Sequence, residues 1–486
     1  MISMKKNKPK NKKYRIALSF VLIIVLCSAY LIIPVSKAFA FKAGRGIGSR
    51  QSSNQRSPSP SPSPSPRVLT LKEAYILAAR RNGVIRANKE SYYQSTLLKW
   101  SAISMLLPDI NLTYKDQRFH LQAPATAPSS SSSSSTLNFL FPNYEYSFTL
   151  DQPLLKLGAF PAYGAAENTV SQAKMNLNNV SATTLYNVAA SYYTVLNDIS
   201  LINADTKTYN EAKSHLELTE AKLKAGLAII TDVLQAKSQF YAAKQELIGA
   251  KNSLKSAKAE LASILGISRR FKVIKPPEPA IKRALLKKYI FLAYKNNPGL
   301  RSLKYAKRAA NNETQYYETQ YIPQINFQAS YNALSGNHFI PGGSFNYWTA
   351  AAILTMPIFQ GGTRIISIEK ARSAANAAMY NMIQSKRNLK AQVVSDFYNI
   401  QNLKYEVAAL EHEEKFASKN YMLVEEEYKA GVATSVDVVT ALAQLTTARH
   451  NLLTANLSYY KSVLNLKRLI GSFKRKLISL TVDKFN

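Results

Sequence analysis

Cysteine is almost absent from this 486-residue chain, with Cys27 alone. That excludes a disulfide framework within the chain and every multi-cysteine metal site. The five histidines stand at 120, 215, 338, 412 and 450 and include no His-x-x-x-His pair, so the usual zinc-hydrolase signature is missing. No Gly-rich phosphate loop, nucleophile elbow or paired catalytic signature is present, and the chain is read as a protein without catalysis, cofactor or metal. Gly 17 and Pro 20 are too few for a collagen-like or low-complexity protein, and 46% hydrophobic is too much for disorder. Acid is scarce too: Lys+Arg 63 against Asp+Glu 29 leaves a formal charge of +34, which raises nucleic acid and anionic membrane surfaces as partners.

The N-terminus bears on both questions. Lys5, Lys6, Lys8, Lys10, Lys12, Lys13 and Arg15 precede an uncharged apolar stretch from Ile16 to Ile33, and Ala38-Phe39-Ala40 follows as a small-x-small cleavage site. Residues 1–40 therefore read as a signal peptide. An uncleaved anchor is the competing reading, because an uncharged stretch of that length nearly spans a bilayer. Leu26 stands before Cys27 where a lipoprotein signal needs a small residue, which argues against lipidation. Cleavage after Ala40 removes eight basic residues (the seven above and Lys37) and no acids, so the charge falls to +26. The remaining Lys and Arg are scattered along helices, a pattern of solvated faces that does not favour nucleic acid.

Residues 41–67 form a linker expected to be disordered, since Ser57 to Pro66 is five Ser-Pro repeats that favour extended polyproline II. A run of seven serines from Ser129 to Ser135 lies inside the folded region and is expected as a surface loop. Comparison of the chain with itself then reveals a duplication. Ile76-Leu77-Ala78 with Asn82 matches Phe291-Leu292-Ala293 with Asn297, and Leu107-Pro108-x-Ile110-Asn111 matches Ile322-Pro323-x-Ile325-Asn326, both at offset 215. Pro153 and Gly158 match Pro357 and Gly362 at offset 204. Lys224-Ala225-Gly226-Leu227-Ala228 with Asp232-Val233 matches Lys429-Ala430-Gly431-Val432-Ala433 with Asp437-Val438 at offset 205, and Gly266 matches Gly471. The organisation is a first repeat over 68–270, a linker over 271–280, a second repeat over 281–472 and a tail over 473–486.

Each repeat contains a helical stretch, two strands, a very long helix running to a glycine, and a final helix. No Gly or Pro interrupts the chain between Gly362 and Gly431, and none between Gly164 and Gly226. At 1.5 Å per residue the longer helix reaches about 100 Å. Leu185, Val188, Ala189, Tyr192, Val195, Leu196, Ile199 and Ile202 recur at three-four spacing, as in a coiled-coil seam. The strands alternate instead. Ile110, Leu112 and Tyr114 face away from Asn111, Thr113 and Lys115, and Tyr144, Tyr146, Phe148 and Leu150 from Glu145, Ser147, Thr149 and Asp151. Ile325, Phe327, Ala329 and Tyr331 alternate likewise, and Trp348 to Leu354 more weakly. Strands of about ten residues with one apolar, Tyr-rich face fit an outer-membrane barrel, with a soluble sandwich as the alternative.

The order Leu-Pro-x-Ile, a strand pair ending in Pro-Leu-Leu-Lys-Leu-Gly or Pro-Ile-Phe-Gln-Gly-Gly, a long helix and Ala-Gly-Leu-Ala-x-x-x-Asp-Val resembles the TolC-like outer-membrane efflux proteins. The likeness covers about residues 68–472 in both repeats. It implies a mixed α and β membrane protein: a homotrimer with a 12-stranded outer-membrane β-barrel, four strands per chain, continuous with a long periplasmic α-helical barrel. It further implies an exit duct of a tripartite efflux or type I secretion system, partnered by a periplasmic adaptor, an inner-membrane transporter and outer-membrane lipid. The gate would lie at the periplasmic tip, at Gly226 and Gly431. By the same resemblance Thr231 and Asp232 match positions that hold the closed state, Tyr428 matches their hydrogen-bonding partner, and Asp437 matches an acidic ring. Ala433 stands where the best-known member has an arginine latch, and Thr440 where it has a second acid. Helix N-capping is the structural alternative for Asp232 and Asp437. Glu425-Glu426-Glu427 reads as a solvated face, and His412-Glu413-Glu414 lacks a second histidine in helical register. The competing function is a periplasmic coiled-coil adaptor or scaffold with an N-terminal anchor, which leaves two copies of the aromatic strand pair unexplained.

Overall fold

The computed structural model describes residues 67–124, 136–281, 284–337 and 343–473. The signal-like leader, the Ser-Pro repeats, the Ser129–Ser135 tract and residues 474–486 lie outside them. The elements run β1 (Arg67–Leu69), α1 (Leu71–Arg81), α2 (Gly83–Ser104), β2 (Asp109–Pro124), β3 (Thr136–Leu155), α3 (Ala159–Lys224), α4 (Ile230–Leu265) and β4 (Phe271–Val273). The same order then returns as α5 (Leu286–Asn296), α6 (Pro298–Glu318), β5 (Gln324–Asn337), β6 (Gly343–Thr355), α7 (Thr363–Ala430) and α8 (Ser435–Leu469). Two compact units result. One holds residues 107–152 and 328–350, and the other holds the remaining described residues.

The helical unit is dominated by α3, of 66 residues, and α7, of 68. Their length follows from the absence of breakers: Pro161 falls in the first turn of α3, where a missing N–H costs nothing. Gly164 sits where α3 meets α6, and a Cβ there would lie 2.5 Å from Asn312 Nδ2. The internal likeness of the halves extends to hydrogen bonds. Asn82 caps α2 by accepting the Val84 N–H at 3.0 Å and donates Nδ2 to Ile264 O at 3.0 Å. Asn297 caps α6 by accepting the Leu300 N–H at 3.0 Å and donates Nδ2 to Leu469 O at 3.0 Å. Each asparagine thus ties the start of one helix to the end of the repeat's last helix.

The apolar cores are equivalent as well. Ala78, Val188, Leu261 and Leu265 cluster in the first repeat, and Ala293, Val393, Leu466 and Ile470 in the second. Complete burial of one such leucine contributes about 1.5–3 kcal/mol. Of the three-four seam on α3, Leu185, Val188, Ala189, Tyr192 and Val195 are fully buried, whereas Leu196, Ile199 and Ile202 are partly covered. The stretch 271–280, read from sequence as a linker, opens with β4, which pairs in parallel with β1 through Arg67↔Phe271 and Leu69↔Val273. Tyr192 fastens this pair: its hydroxyl lies 2.9 Å from Leu69 O and 2.6 Å from Ile274 O, and accepts the Ile274 N–H at 3.0 Å. No helix of the described residues is long and apolar enough to cross a membrane.

The other unit is a four-stranded sheet in the order β2-β3-β5-β6. β2 and β3 pair antiparallel from Asp109↔Asp151 to Pro124↔Thr136. At 16 and 20 residues they exceed the expected length of about ten. The apolar alternation ends near Asp116-Gln117-Arg118, yet backbone pairing continues, because ladder hydrogen bonds do not depend on side-chain polarity. Cross-strand partners Leu112 and Phe148, and Tyr114 and Tyr146, share one face, and all four are exposed. The Tyr114 and Tyr146 rings lie 4.9 Å apart. Among the polar residues, Ser147 Oγ donates to Asn332 Oδ1 at 2.7 Å, and Lys115 pairs with Glu145 at 3.4 Å.

Candidate functional site at the helix turns

The chain reverses between α3 and α4 and again between α7 and α8. Both turns are built from the same backbone bonds. In the first, Leu227 N–H donates to Lys222 O at 2.8 Å and Gly226 N–H to Leu223 O at 3.0 Å. In the second, Val432 N–H donates to Glu427 O at 2.9 Å and Gly431 N–H to Tyr428 O at 3.1 Å. Gly226 and Gly431 have φ of 72° and 82°, the left-handed conformation that this way of ending a helix demands.

The two turns restart their helices differently. Thr434 and Asp437 form a reciprocal cap: Asp437 N–H donates to Thr434 Oγ1 at 3.3 Å, and Thr434 N–H to Asp437 Oδ2 at 2.9 Å. The Thr434 hydroxyl also donates to Asp437 Oδ2 at 2.6 Å. These bonds, with the hydroxyl foremost, hold the exposed Asp437 carboxyl below the usual carboxylate range. Ile229 occupies the corresponding position in the first turn and has no side-chain oxygen, so only its N–H reaches Asp232, at 3.3 Å. Both aspartates thus sit in the first turn of a helix and accept the N–H three residues back. They are not the N-cap residues that the sequence alone allowed, because the capping position falls on Ile229 and Thr434.

Tyr428 is buried, and its hydroxyl donates to Thr219 Oγ1 at 3.1 Å rather than to Thr231 or Asp232. Lys222 stands over the Tyr428 ring, 4.1 Å from its centroid, and donates to the Tyr428 carbonyl. A cation there suits the negative end of α7. The His215 ring meets Tyr428 edge-on at 5.1 Å, and its Nε2 shares a hydrogen bond of 3.1 Å with Ser435 Oγ. His215 and Ser435 are each 1% exposed, and His215 Nδ1 has no hydrogen-bond partner among the described residues. Burial pushes the imidazole down to about 4; the Asp232 carboxylate opposes that shift and Lys222 adds to it. Around this polar group Ala212, Ala243, Tyr421, Val438, Leu442 and Leu445 form a closed apolar cluster drawn from α3, α4, α7 and α8.

Of the six residues expected at the tip, the turns hold Gly226, Thr231 and Asp232 in the first hairpin and Tyr428, Gly431 and Asp437 in the second. Thr231 and Asp437 are exposed, whereas Asp232 is half-buried. His215, Thr219, Lys222 and Ser435 escaped the sequence reading. Their one signal was polarity on an otherwise apolar helix face, which does not identify a partner in the other half of the chain. Glu426 pairs with Lys429 at 2.8 Å and Glu414 with Arg449 at 3.8 Å, so both acidic runs are partly engaged within the chain.

Two repeats of strand hairpin and long helical hairpin, with matched glycine turns, define the class of outer-membrane export channels. Comparison with known proteins places it further. Residues 101–267 and 290–472 match the outer membrane efflux protein family. The chain belongs to that family. It is 23% identical to outer membrane protein TolC of Escherichia coli K12 over 347 residues, covering 68% of this chain and 70% of that one. It is 24% identical to the alkaline protease secretion protein AprF of Pseudomonas aeruginosa over 350 residues, covering 67% and 71%. Among solved structures, CusC superposes with a TM-score of 0.72 at 15% identity, covering 82% of this chain and 92% of that one. The outer membrane protein VceC of Vibrio cholerae gives 0.70 at 16%, covering 82% and 96%.

Proposed function

We propose that three copies of this chain assemble into one duct, each contributing its four-stranded sheet to a 12-stranded barrel in the outer membrane. The carrying observation is the bare apolar face of Leu112, Tyr114, Tyr146 and Phe148 on a sheet that ends in two unpaired edges, β2 and β6. Four strands do not close a barrel, and unpaired strand edges are not tolerated in hydrocarbon. Neighbouring copies satisfy β2 and β6, and lipid covers the aromatic face. The long helices continue the duct through the periplasm, where an adaptor and an inner-membrane transporter deliver solutes or proteins to it.

Gating falls to the two glycine turns. Gly226, Thr231 and Asp232 lie on one hairpin and Tyr428, Gly431 and Asp437 on the other. Separation of the hairpins must break Tyr428–Thr219, His215–Ser435 and Lys222–Tyr428. Ala433 and Thr440 supply no charge at the second turn, so closure rests on this buried group and on the apolar cluster around it. The test is the mass of the purified protein in detergent, by light scattering corrected for bound detergent. A trimer is expected, and a monomer at native-like concentration overturns the assembly. The adaptor or scaffold reading is tested by membrane fractionation, since it requires recovery outside the outer-membrane fraction.

A further inference from the structure

Away from the turns, three helices converge on a different group. Asp205 on α3, Glu246 on α4 and His450 on α8 bring two carboxylate oxygens and an imidazole nitrogen within 4.8 Å of one another. Asp205 is 2% exposed, and its Oδ1 lies 2.6 Å from His450 Nε2. The His450 side chain is one-third exposed and Glu246 is open to solvent, so the group is reachable from one side.

Its charge balance is unusual for this chain. Lys and Arg outnumber Asp and Glu by 63 to 29, yet among the described residues no Lys or Arg forms an ion pair with Asp205 or Glu246. The neighbouring Arg449 is committed elsewhere, at 2.9 Å from Glu211 and 3.8 Å from Glu414. Two carboxylates this close repel one another, and one of them is buried, where an uncompensated charge is most costly. Either a proton on His450 or a cation held jointly resolves the conflict. Only the cation also uses Glu246.

We propose that Asp205, Glu246 and His450 form a binding site for a divalent transition-metal ion of the zinc class. One imidazole with two carboxylates is a borderline donor set, suited to zinc, cobalt or nickel, whereas magnesium and calcium favour oxygen alone. Ligands on a common zinc ion stand roughly 3–4 Å apart, so the Asp205–His450 pair, 2.6 Å apart in its hydrogen bond, widens around the ion and the exposed Glu246 side chain swings in to close the site. The ion takes the place of the proton between Asp205 and His450, and water completes its coordination. It cross-links the α3–α4 hairpin to α8 and holds the two hairpins of one chain together. The site does not depend on what the duct carries.

The experiment uses the purified full chain in detergent, stripped with a chelator and titrated with zinc by calorimetry and with cobalt by visible absorption. One saturable zinc site per chain is expected, with a zinc-dependent rise in melting temperature. Glu246→Gln, at a solvent-exposed position, should weaken binding about tenfold or more. His450→Gln keeps a hydrogen bond to Asp205 and should abolish the cobalt spectrum. His412→Ala, in the exposed run on α7, should change neither. No saturable site in the parent chain, a site unchanged by either substitution at 246 or 450, or a site lost with His412 each overturns the proposal.

Discussion

His215 Nε2 and Ser435 Oγ meet at 3.1 Å across 220 residues of sequence, and both side chains are sealed from water. The bond joins the long helix of the first repeat to the last helix of the second, at the level where both hairpins turn. Its equivalent in the other half does not exist, because the corresponding positions are occupied by Asn420 and Ile230. A duplicated chain has thus become asymmetric at its candidate gate, with the second turn pinned to α3 through polar groups that the first lacks.

Acid should weaken this junction. The unfolded chain takes up a proton on His215 near its ordinary value of 6.5, whereas the buried ring in the fold resists until about 4. The contribution is therefore complete above pH 6.5 and is lost as the pH falls toward 4, where the loss amounts to about 3 kcal/mol per chain. Asp232, Lys222 and Tyr428 are the charged and titratable groups facing the ring. Thermal unfolding at pH 7 and pH 4.5 should show a smaller loss in His215→Gln than in the parent. Equal losses would show that the ring is not what senses acid.

The Tyr428 hydroxyl and Thr219 should prove coupled. Tyr428→Phe removes one buried hydrogen bond and should cost about 1 kcal/mol. A double-mutant cycle with Thr219→Val should return a coupling energy of similar size. In planar bilayers Tyr428→Phe should also raise single-channel conductance, since it loosens the second hairpin. An unaltered conductance with a clear coupling energy would confine the pair to a structural role.

Asp437 is expected to line the entrance as a single acidic ring, with Thr440 one turn further along the same exposed face. Block by a trivalent cation from the tip side should fall about tenfold or more in Asp437→Asn. Because Asp437 also takes part in the cap of α8, the variant should lose about 1 kcal/mol of stability as well. A loss of stability with undiminished block would leave only the cap.

Glycine-to-alanine substitutions should rank by surroundings and not by φ. Gly226 and Gly471 have similar φ, 72° and 66°. An added Cβ at Gly226 meets nothing within 4 Å, so Gly226→Ala should cost about 1–2 kcal/mol from conformation alone. At Gly471 the Cβ would stand 2.7 Å from Asn296 O, backbone that cannot swing aside. Gly471→Ala should therefore cost distinctly more, above about 3 kcal/mol by chemical denaturation.

Much of this fold was legible because its determinants are local or periodic. A 68-residue run without Gly or Pro specifies a long helix wherever it lies, and α7 occupies that interval. The Lys-Ala-Gly repeats located both turns, since a left-handed residue at a helix end is a single-residue requirement. Period-two alternation placed Leu112, Tyr114, Tyr146 and Phe148 on one face, where the register between β2 and β3 puts them.

Other features depend on which helices become neighbours, and no local pattern carries that. Asp437 was legible as a first-turn residue, but the identity of its cap, Thr434 rather than Asp437 itself, turned on where α8 begins. Tyr428 stood out by its place in the repeat, whereas its partner Thr219 is 209 residues away and looks like any helical threonine. The same holds for His215 with Ser435, and for Asp205 and Glu246 with His450. By itself the sequence determined the duplication, the helix lengths, the turns and the two-faced strands, because each follows from backbone preference and hydrophobic period. Only the tertiary structure decided which polar side chains meet, because those meetings are set by the packing of four helices whose matching faces come from opposite halves of the chain.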